Sequence, residues 1–150
     1  PVIYASNKFS AVAKRIQNQF NENSKVPAKH EILPELNHNE INAYQDAALN
    51  KNFSVLLLRD EGDNEQIKAR FDLTKQFVKG KIKAMNEIFA QGKSSLAKMM
   101  TLIAIGDYLS YKLAEANNVD PVVVKNNDLL KAEMKKKFKV VEKLEKELSL

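Results

Sequence analysis

The stretch from Asn18 to Glu40 concentrates side chains that can do acid–base chemistry. Glu22 lies at the end of one helical pattern and His38 at the start of the next, with a short extended segment, 26–33, between them. We expect this segment to carry the carboxylate and the imidazole to one edge of a sheet. A positioned carboxylate can act as a general base, and histidine changes its protonation state near neutral pH. The two residues therefore have the outline of an acid–base pair.

Each of these residues alone has a simpler explanation. Glu22 could be a solvated carboxylate, His38 a cap or surface residue, and His30, in the middle of the extended segment, is expected to be structural. Many polar side chains nevertheless lie beside apolar elements with little structural need for them, and a sugar phosphate would use such groups. Ser6 and Asn37 are the candidate substrate-binding residues. Two histidines on separate elements lack metal-ligand spacing, so we expect no metal, and nothing in the sequence calls for a cofactor.

Composition excludes several classes of function. The chain of 150 residues is 44% hydrophobic and contains no cysteine, which fits one soluble domain and suits a reducing cytoplasm. Residues 131–150 hold seven lysines and four glutamates, so +3 of the net charge of +5 lies in one terminal segment. No arginine lies among those lysines, and we expect no nucleic-acid partner. Neither a signal peptide nor an uncharged apolar stretch of about 18 residues is present, so we expect no membrane association and a cytoplasmic location.

Strand and helix patterns alternate along the chain. Strands are predicted at 2–5, 29–33, 53–58 and 81–89, and helices at 9–23, from Asn37 or Asn39 to Ala48, after the 59–63 turn, at 95–113 and near the C terminus. The apolar run 53–58 is typical of a central strand, and 81–89 of a strand near an edge. This alternation predicts an α/β fold, a doubly wound parallel sheet with helices on both faces. Ligands of such sheets bind outside the carboxyl ends of the strands.

Three details of the helices can be predicted as well. Ser6 or Asn7 is expected to cap the first helix, and Ser94 or Ser95 the fourth, because their side-chain oxygens can accept N–H groups of the first turn. The fourth helix is apolar around most of its circumference, so we expect it to be mostly buried, in the core or at a subunit interface. The last helix should be amphipathic, with an apolar residue at every third or fourth position from Leu130 to Leu148.

The segments QFNENSKVP (19–27) and LPELNHNEI (33–41) resemble the second sugar-isomerase (SIS) domain of the bifunctional phosphoglucose/phosphomannose isomerase family. Four further segments fall where that family has similar pieces: AVAKR (11–15), LLLRDEG (56–62), IGDY (105–108) and VDP (119–121). The resemblance covers nearly the whole chain. It implies a single SIS-type domain over residues 1–150 with a flavodoxin-like fold.

The resemblance also implies a reaction. The family converts glucose 6-phosphate or mannose 6-phosphate to fructose 6-phosphate by opening the ring and moving a proton through an enediol, without a metal. Glu22 corresponds to the catalytic base, and His38 to the ring-opening histidine, which reaches the active site of the other subunit of a homodimer. Lys131 corresponds to a second ring-opening or substrate-positioning residue.

Two features of the chain depart from the family pattern. Valines follow Pro121 where the family carries a threonine linked to accepting mannose. The family also has two SIS domains, and this chain contains only the second, so we expect an upstream SIS domain to supply the phosphate-binding loops and the chain alone to be inactive. The alternative is a non-catalytic SIS-type module that binds sugar phosphates or regulates, which would not need Glu22 and His38 together.

Overall fold

A single parallel sheet organises the computed structural model, which describes residues 1–148. Its strands, in the order β2-β1-β3-β4, are β1 (Val2–Ser6), β2 (Lys29–Leu33), β3 (Ser54–Arg59) and β4 (Ala84–Phe89). All three strand pairings are parallel. The inner strands β1 and β3 are almost entirely buried, whereas the edge strands β2 and β4 are only partly covered. The predicted parallel α/β architecture is confirmed, including the central position of β3 and the edge position of β4.

The helices are α1 (Ser10–Asn23), α2 (Ala47–Asn50), α3 (Glu65–Val78), α4 (Ser95–Ala116), α5 (Lys125–Phe138) and α6 (Val140–Leu148), with short 3-10 turns at Asn7–Phe9, Glu35–Asn37 and Glu40–Gln45. Within residues 1–120, α1 and α4 pack on one face of the sheet and α3 packs on the other. One core cluster joins Ile3 and Leu58 to apolar residues of α1 and α4. The other joins Tyr4 and Leu57 to Phe71 of α3. Alternate strand residues therefore face opposite helix layers, as a doubly wound sheet requires.

The segment after β2 is not the continuous helix that the sequence predicted. It forms two 3-10 turns and the single turn α2, and Tyr44 has non-helical backbone angles. The Tyr44 hydroxyl lies 2.6 Å from that of Tyr4 and donates to Glu40 at 3.3 Å, which ties the segment to β1. Asp46, rather than Asn37 or Asn39, caps α2. In this segment, the contacts between buried hydroxyl groups determine the backbone conformation more than the helical spacing of the apolar residues does.

The two predicted serine caps have different outcomes. Ser94 caps α4 by accepting the N–H of Ala97, as predicted. The expected cap of the first helix is wrong, because the 3-10 turn Asn7–Phe9 separates Ser6 from α1 and no side chain among the described residues caps either element.

Helix α4 is less buried than its composition predicted. Only a narrow stripe is buried, formed by Leu102, Gly106, Ser110 and Ala114. Gly106 permits the close approach to α1, since a Cβ there would lie 2.4 Å from Cγ1 of Ile16. Other apolar residues of the helix, including Leu96 and Met100, are exposed in this chain. Within the isolated chain the helix is therefore not mostly buried, and its burial at a subunit interface stays a prediction.

The C-terminal segment is described by itself, because the chain divides into two compact units, 1–120 and 121–150. The predicted last helix is broken into α5 and α6 at Lys139, whose φ is 48°. Neither helix has a buried residue in its described part. Residues 149–150 lie outside the described chain, and the interpretation of 1–150 as one domain stays a prediction. Among the described helices, none combines the length and apolar character needed to cross a membrane.

Candidate functional site

The turn that carries Glu22 is fixed to α4 by its neighbours. The Asn23 amide donates to the Ser110 hydroxyl at 2.9 Å, and the Ser24 hydroxyl donates to the Ser110 carbonyl at 2.6 Å. Ser24 and Ser110 are both almost completely buried. Hydrogen bonds between buried partners are costly to break, so this turn has a well-defined backbone. Its position depends directly on the packing of α1 against α4.

Glu22 itself is exposed at the end of α1. Asn21 fixes the following chain by accepting the N–H of Ala28 at 2.7 Å. Within residues 1–148, the Glu22 carboxylate has no hydrogen-bond or ion-pair partner, although the Glu22 backbone carbonyl accepts a hydrogen bond from Lys25 at 2.5 Å. The geometry thus presents both carboxylate oxygens on a rigid turn, as a general base requires.

His38 lies at the other candidate position, directly after the 3-10 turn Glu35–Asn37. Its N–H donates to the Glu35 carbonyl at 2.8 Å, and its carbonyl accepts from the Asn42 amide at 2.9 Å. The turn is anchored in the core by Leu36, which is 1% exposed. The backbone of His38 is therefore held while its ring is exposed to solvent.

The structure places Glu22 and His38 at opposite ends of the sheet. Helix α1 starts near the carboxyl end of β1 and returns to the start of β2, where the Lys29 N–H donates to the Pro1 carbonyl at 3.3 Å. His38 instead follows the carboxyl end of β2, a strand of 5 residues. Such a strand is about 16 Å long. The expectation that segment 26–33 would bring both groups to one edge is therefore not met within one chain.

The other two predicted residues, Asn37 and Lys131, lie in different parts of the chain. The Asn37 amide donates to the Thr74 hydroxyl at 2.7 Å and its oxygen accepts from Arg70 at 3.3 Å, so this side chain ties the turn before His38 to α3. Asn37 and Arg70 also line a groove of about 410 Å³ whose apolar wall includes Phe77. Lys131 lies on α5 in the unit 121–150, with its side chain exposed.

Ser6 belongs to a charged cluster at the carboxyl edge of the sheet. Asp60 follows β3, and its fully buried carboxylate pairs with Lys8 and, at 2.6 Å, with Lys98, while the Gly62 N–H donates to it at 2.9 Å. Burial alone raises the pKa of Asp60, but the hydrogen bonds from Lys8 and Lys98 outweigh this effect and hold the pKa well below its usual range. Asp60 is therefore ionised at neutral pH.

The remaining members of the cluster are Ser6 and Asp63. The Ser6 hydroxyl is buried near the Asp63 carboxylate and makes no hydrogen bond of normal geometry with the described residues. Burial is the largest effect on Asp63 and raises its pKa, and the nearby negative charge of Asp60 adds to the increase. Residues 1–148 contain no group of three or more histidine, aspartate or glutamate side chains placed to hold a metal ion.

Sequence reasoning missed the two lysines of this cluster. Neither Lys8 nor Lys98 is among the candidate site residues that the sequence indicates. A signal was present, because an aspartate directly after a buried strand needs a cation, and a lysine in the first turn of an apolar helix can supply one. The sequence does not show that the two positions meet.

The order β2-β1-β3-β4, with helices on both faces, defines a doubly wound α/β domain of the flavodoxin-like type. A glucose-6-phosphate isomerase like protein from Thermus thermophilus has the same fold, with a TM-score of 0.64 over 80% of this chain and 40% of that chain at 21% identity. The family model described as the bacterial phospho-glucose isomerase C-terminal SIS domain matches residues 1–134, and the chain belongs to this family.

Curated relatives agree with this assignment. The bifunctional phosphoglucose/phosphomannose isomerase of Aquifex aeolicus is 38% identical over 138 residues, which is 91% of this chain and 42% of that protein. The protein of the same name from Caldicellulosiruptor bescii is 39% identical over 133 residues, 87% of this chain and 39% of that protein. The chain thus spans about two fifths of the length of these relatives.

Proposed function

We propose that this chain is the second SIS half of an isomerase that interconverts glucose 6-phosphate and fructose 6-phosphate. The observation that carries the proposal is the Glu22 carboxylate, which has no partner among the described residues and lies where hydrogen bonds fix the backbone, in a chain of this family. An exposed glutamate on a mobile loop would have no such support. Membership of the family supplies the reaction class, and the geometry supplies a residue suited to its central step.

The proposed chemistry needs one base and one acid. His38 protonates the ring oxygen while a water molecule takes the proton of the C1 hydroxyl, so that the C1–O5 bond breaks and C1 becomes the aldehyde. Glu22 then removes the proton from C2, which gives an enediolate with its charge on O1. The proton of the C2 hydroxyl passes to O1, and Glu22 returns its proton to C1 as C2 becomes the ketone. A single carboxylate can serve both carbons because they are adjacent. Lys131 is proposed to assist ring opening or to position the substrate.

The proposed site is assembled from two chains. Since Glu22 and His38 lie at opposite ends of one sheet, they can act on one sugar only when His38 of the partner subunit approaches Glu22. A symmetric homodimer would form two such sites. The cytoplasm is the proposed location of this dimer. The relatives are longer than this chain, and we propose that an upstream SIS half accounts for the additional length and binds the substrate phosphate.

The two proposed substrate-binding residues have unequal support. Ser6 has a buried hydroxyl with unused hydrogen-bonding capacity at the ligand edge of the sheet. Asn37 would have to exchange its bonds to Thr74 and Arg70 for bonds to a sugar. The valines at 122–124 favour glucose 6-phosphate over mannose 6-phosphate as the substrate.

An assay of ketose formation tests this proposal. The chain alone and a longer protein with an upstream SIS half would each receive glucose 6-phosphate and mannose 6-phosphate. We expect fructose 6-phosphate only from the longer protein, and faster from glucose 6-phosphate. Tight binding of the sugar phosphate without turnover by the longer protein would instead indicate a binding or regulatory module.

A further inference from the structure

The most ligand-like position in this sheet is the crevice between the carboxyl ends of β1 and β3. Here the strand order reverses, because the connection from β1 leads to β2 on one side and that from β3 leads to β4 on the other. Open α/β sheets bind ligands at this switch point. Ser6 ends β1, and Asp60 directly follows β3. The crevice therefore lies between these two residues.

Asp60 already fills this position with a negative charge. Its side chain is 0% exposed, and it takes hydrogen bonds from Lys8, Lys98 and the Gly62 N–H. These donors come from three elements, namely the turn after β1, the first turn of α4 and the loop after β3. Two ammonium groups, a backbone N–H and a nearby hydroxyl form a set that elsewhere would bind an anionic ligand.

We propose that the Asp60 carboxylate occupies the place of an anionic ligand at the switch point and keeps phosphate groups out of this crevice. The site is a latent oxyanion site, closed by a residue of the chain itself. This inference rests on the crevice alone and holds whether or not the longer protein is an isomerase. If it is, the substrate phosphate has to be bound by another part of that protein.

Removal of the Asp60 side chain should open the site. Asp60→Ala leaves Lys8, Lys98, the Gly62 N–H and the Ser6 hydroxyl around an empty space, where Asp63 is the one acidic member of the cluster that remains, against two lysines. Both lysine side chains are partly exposed, at 34% and 22%, so water can solvate them and the variant can stay folded. Asp60→Asn is the matched control, because the amide removes the charge but still fills the space.

The probe is inorganic phosphate, titrated into the full chain by calorimetry with chloride at equal ionic strength as the reference. We expect Asp60→Ala to bind phosphate at least about tenfold more tightly than the wild type, since charge-assisted hydrogen bonds from two lysines become available. Asp60→Asn should show a smaller gain. Addition of Lys98→Met to Asp60→Ala should remove the gain, which locates the anion at this crevice.

Two results would overturn the inference. One is phosphate binding by the wild type that is as tight as by Asp60→Ala and is lost in Lys98→Met, because the crevice would then be open already. The other is a folded Asp60→Ala variant without any gain. If Asp60→Ala unfolds in chloride, phosphate should restore its near-ultraviolet circular dichroism, and failure to do so would also count against the proposal.

Discussion

A general base must combine a fixed position with oxygens that are available to the substrate. Glu22 meets both conditions because the residues beside it, rather than its own carboxylate, make the contacts that fix the backbone. Asn23 and Ser24 bond to Ser110, and Asn21 bonds to the backbone of the following segment. In the motif Asn-Glu-Asn-Ser, at the C-terminal end of α1, the amides and the hydroxyl therefore fix the backbone, and the carboxylate is left available for the proposed proton transfer.

Glu22→Gln in the longer protein tests this role. The amide keeps the shape of the side chain but cannot accept a proton from carbon, so we expect isomerisation to fall by roughly 10²–10⁴-fold while sugar-phosphate binding is retained. Glu61→Gln, at another exposed glutamate, is the matched control and should leave kcat unchanged. Near-normal turnover of the Glu22 variant would remove Glu22 from the mechanism.

His38→Ala should separate ring opening from proton transfer. Only a cyclic sugar phosphate needs its ring oxygen protonated, so we expect a larger loss of kcat with that substrate than with an open-chain analogue. His30→Ala is the control, since His30 lies in β2 and its Nδ1 is 2.6 Å from the Gln17 side chain. Equal losses with both substrates would assign His38 to binding or structure.

At the scale of elements, the packing of α1 on α4 connects the core to the candidate site. Gly106 allows the two helices to approach, and Ser110, one turn later on α4, holds the turn of Glu22. Interiors are close-packed, so a shift of one helix is transmitted to such a contact. The position of Glu22 therefore depends on a glycine far from the proposed chemistry.

Gly106→Ala should destabilise the fold. Its Cβ would lie 2.4 Å from Cγ1 of Ile16, and overpacking of this kind costs about 1–3 kcal/mol. The measurement is the midpoint of urea unfolding. Gly62→Ala, whose Cβ would make contacts of 3.4 Å or more, is the matched control and should change the midpoint less. Ile16→Ala combined with Gly106→Ala should cost less than the sum of the two single changes; strict additivity would contradict a direct clash.

The helices and strands could be predicted where the apolar residues followed a single, clear spacing. The apolar run at β3 and the spacing of Val12, Ile16 and Phe20 on α1 gave the sheet and its first helix, because burial on two faces or one stripe leaves a clear pattern. The segment after β2 failed because Tyr4 and Tyr44 meet through hydroxyl groups that are 40 residues apart in sequence. Periodicity carries no information about such contacts.

The candidate site was predictable in its residues but not in its arrangement. The polar side chains around Glu22 and His38 mark a site by composition, yet the sequence does not say at which end of the sheet each one lies. That placement follows from the direction of α1, which returns to the start of β2. Lys8 and Lys98 were missed because their partner, Asp60, comes from a third element.

At the scale of the whole molecule, one side of α4 carries large apolar and aromatic residues that are exposed in the isolated chain. Four large side chains on this side are exposed to solvent: Leu96 at 69%, Met100 at 55%, Tyr108 at 61% and Tyr111 at 46%. They are four, eight and three residues apart, so they follow one side of the helix. A contiguous apolar stripe of this kind marks an interaction surface. It fits the proposed assembly, in which Glu22 and His38 of different chains act together.

A mixing experiment with the longer protein tests this central claim most directly. Glu22→Gln and His38→Ala variants, each inactive as a homodimer, would be combined under conditions of subunit exchange, which is followed independently with labelled subunits. In a heterodimer with shared sites, one of the two sites contains both wild-type residues. The account predicts that isomerase activity returns to a substantial fraction of the wild-type value on mixing. No recovery despite demonstrated exchange would contradict it and would mean that each subunit carries its own pair.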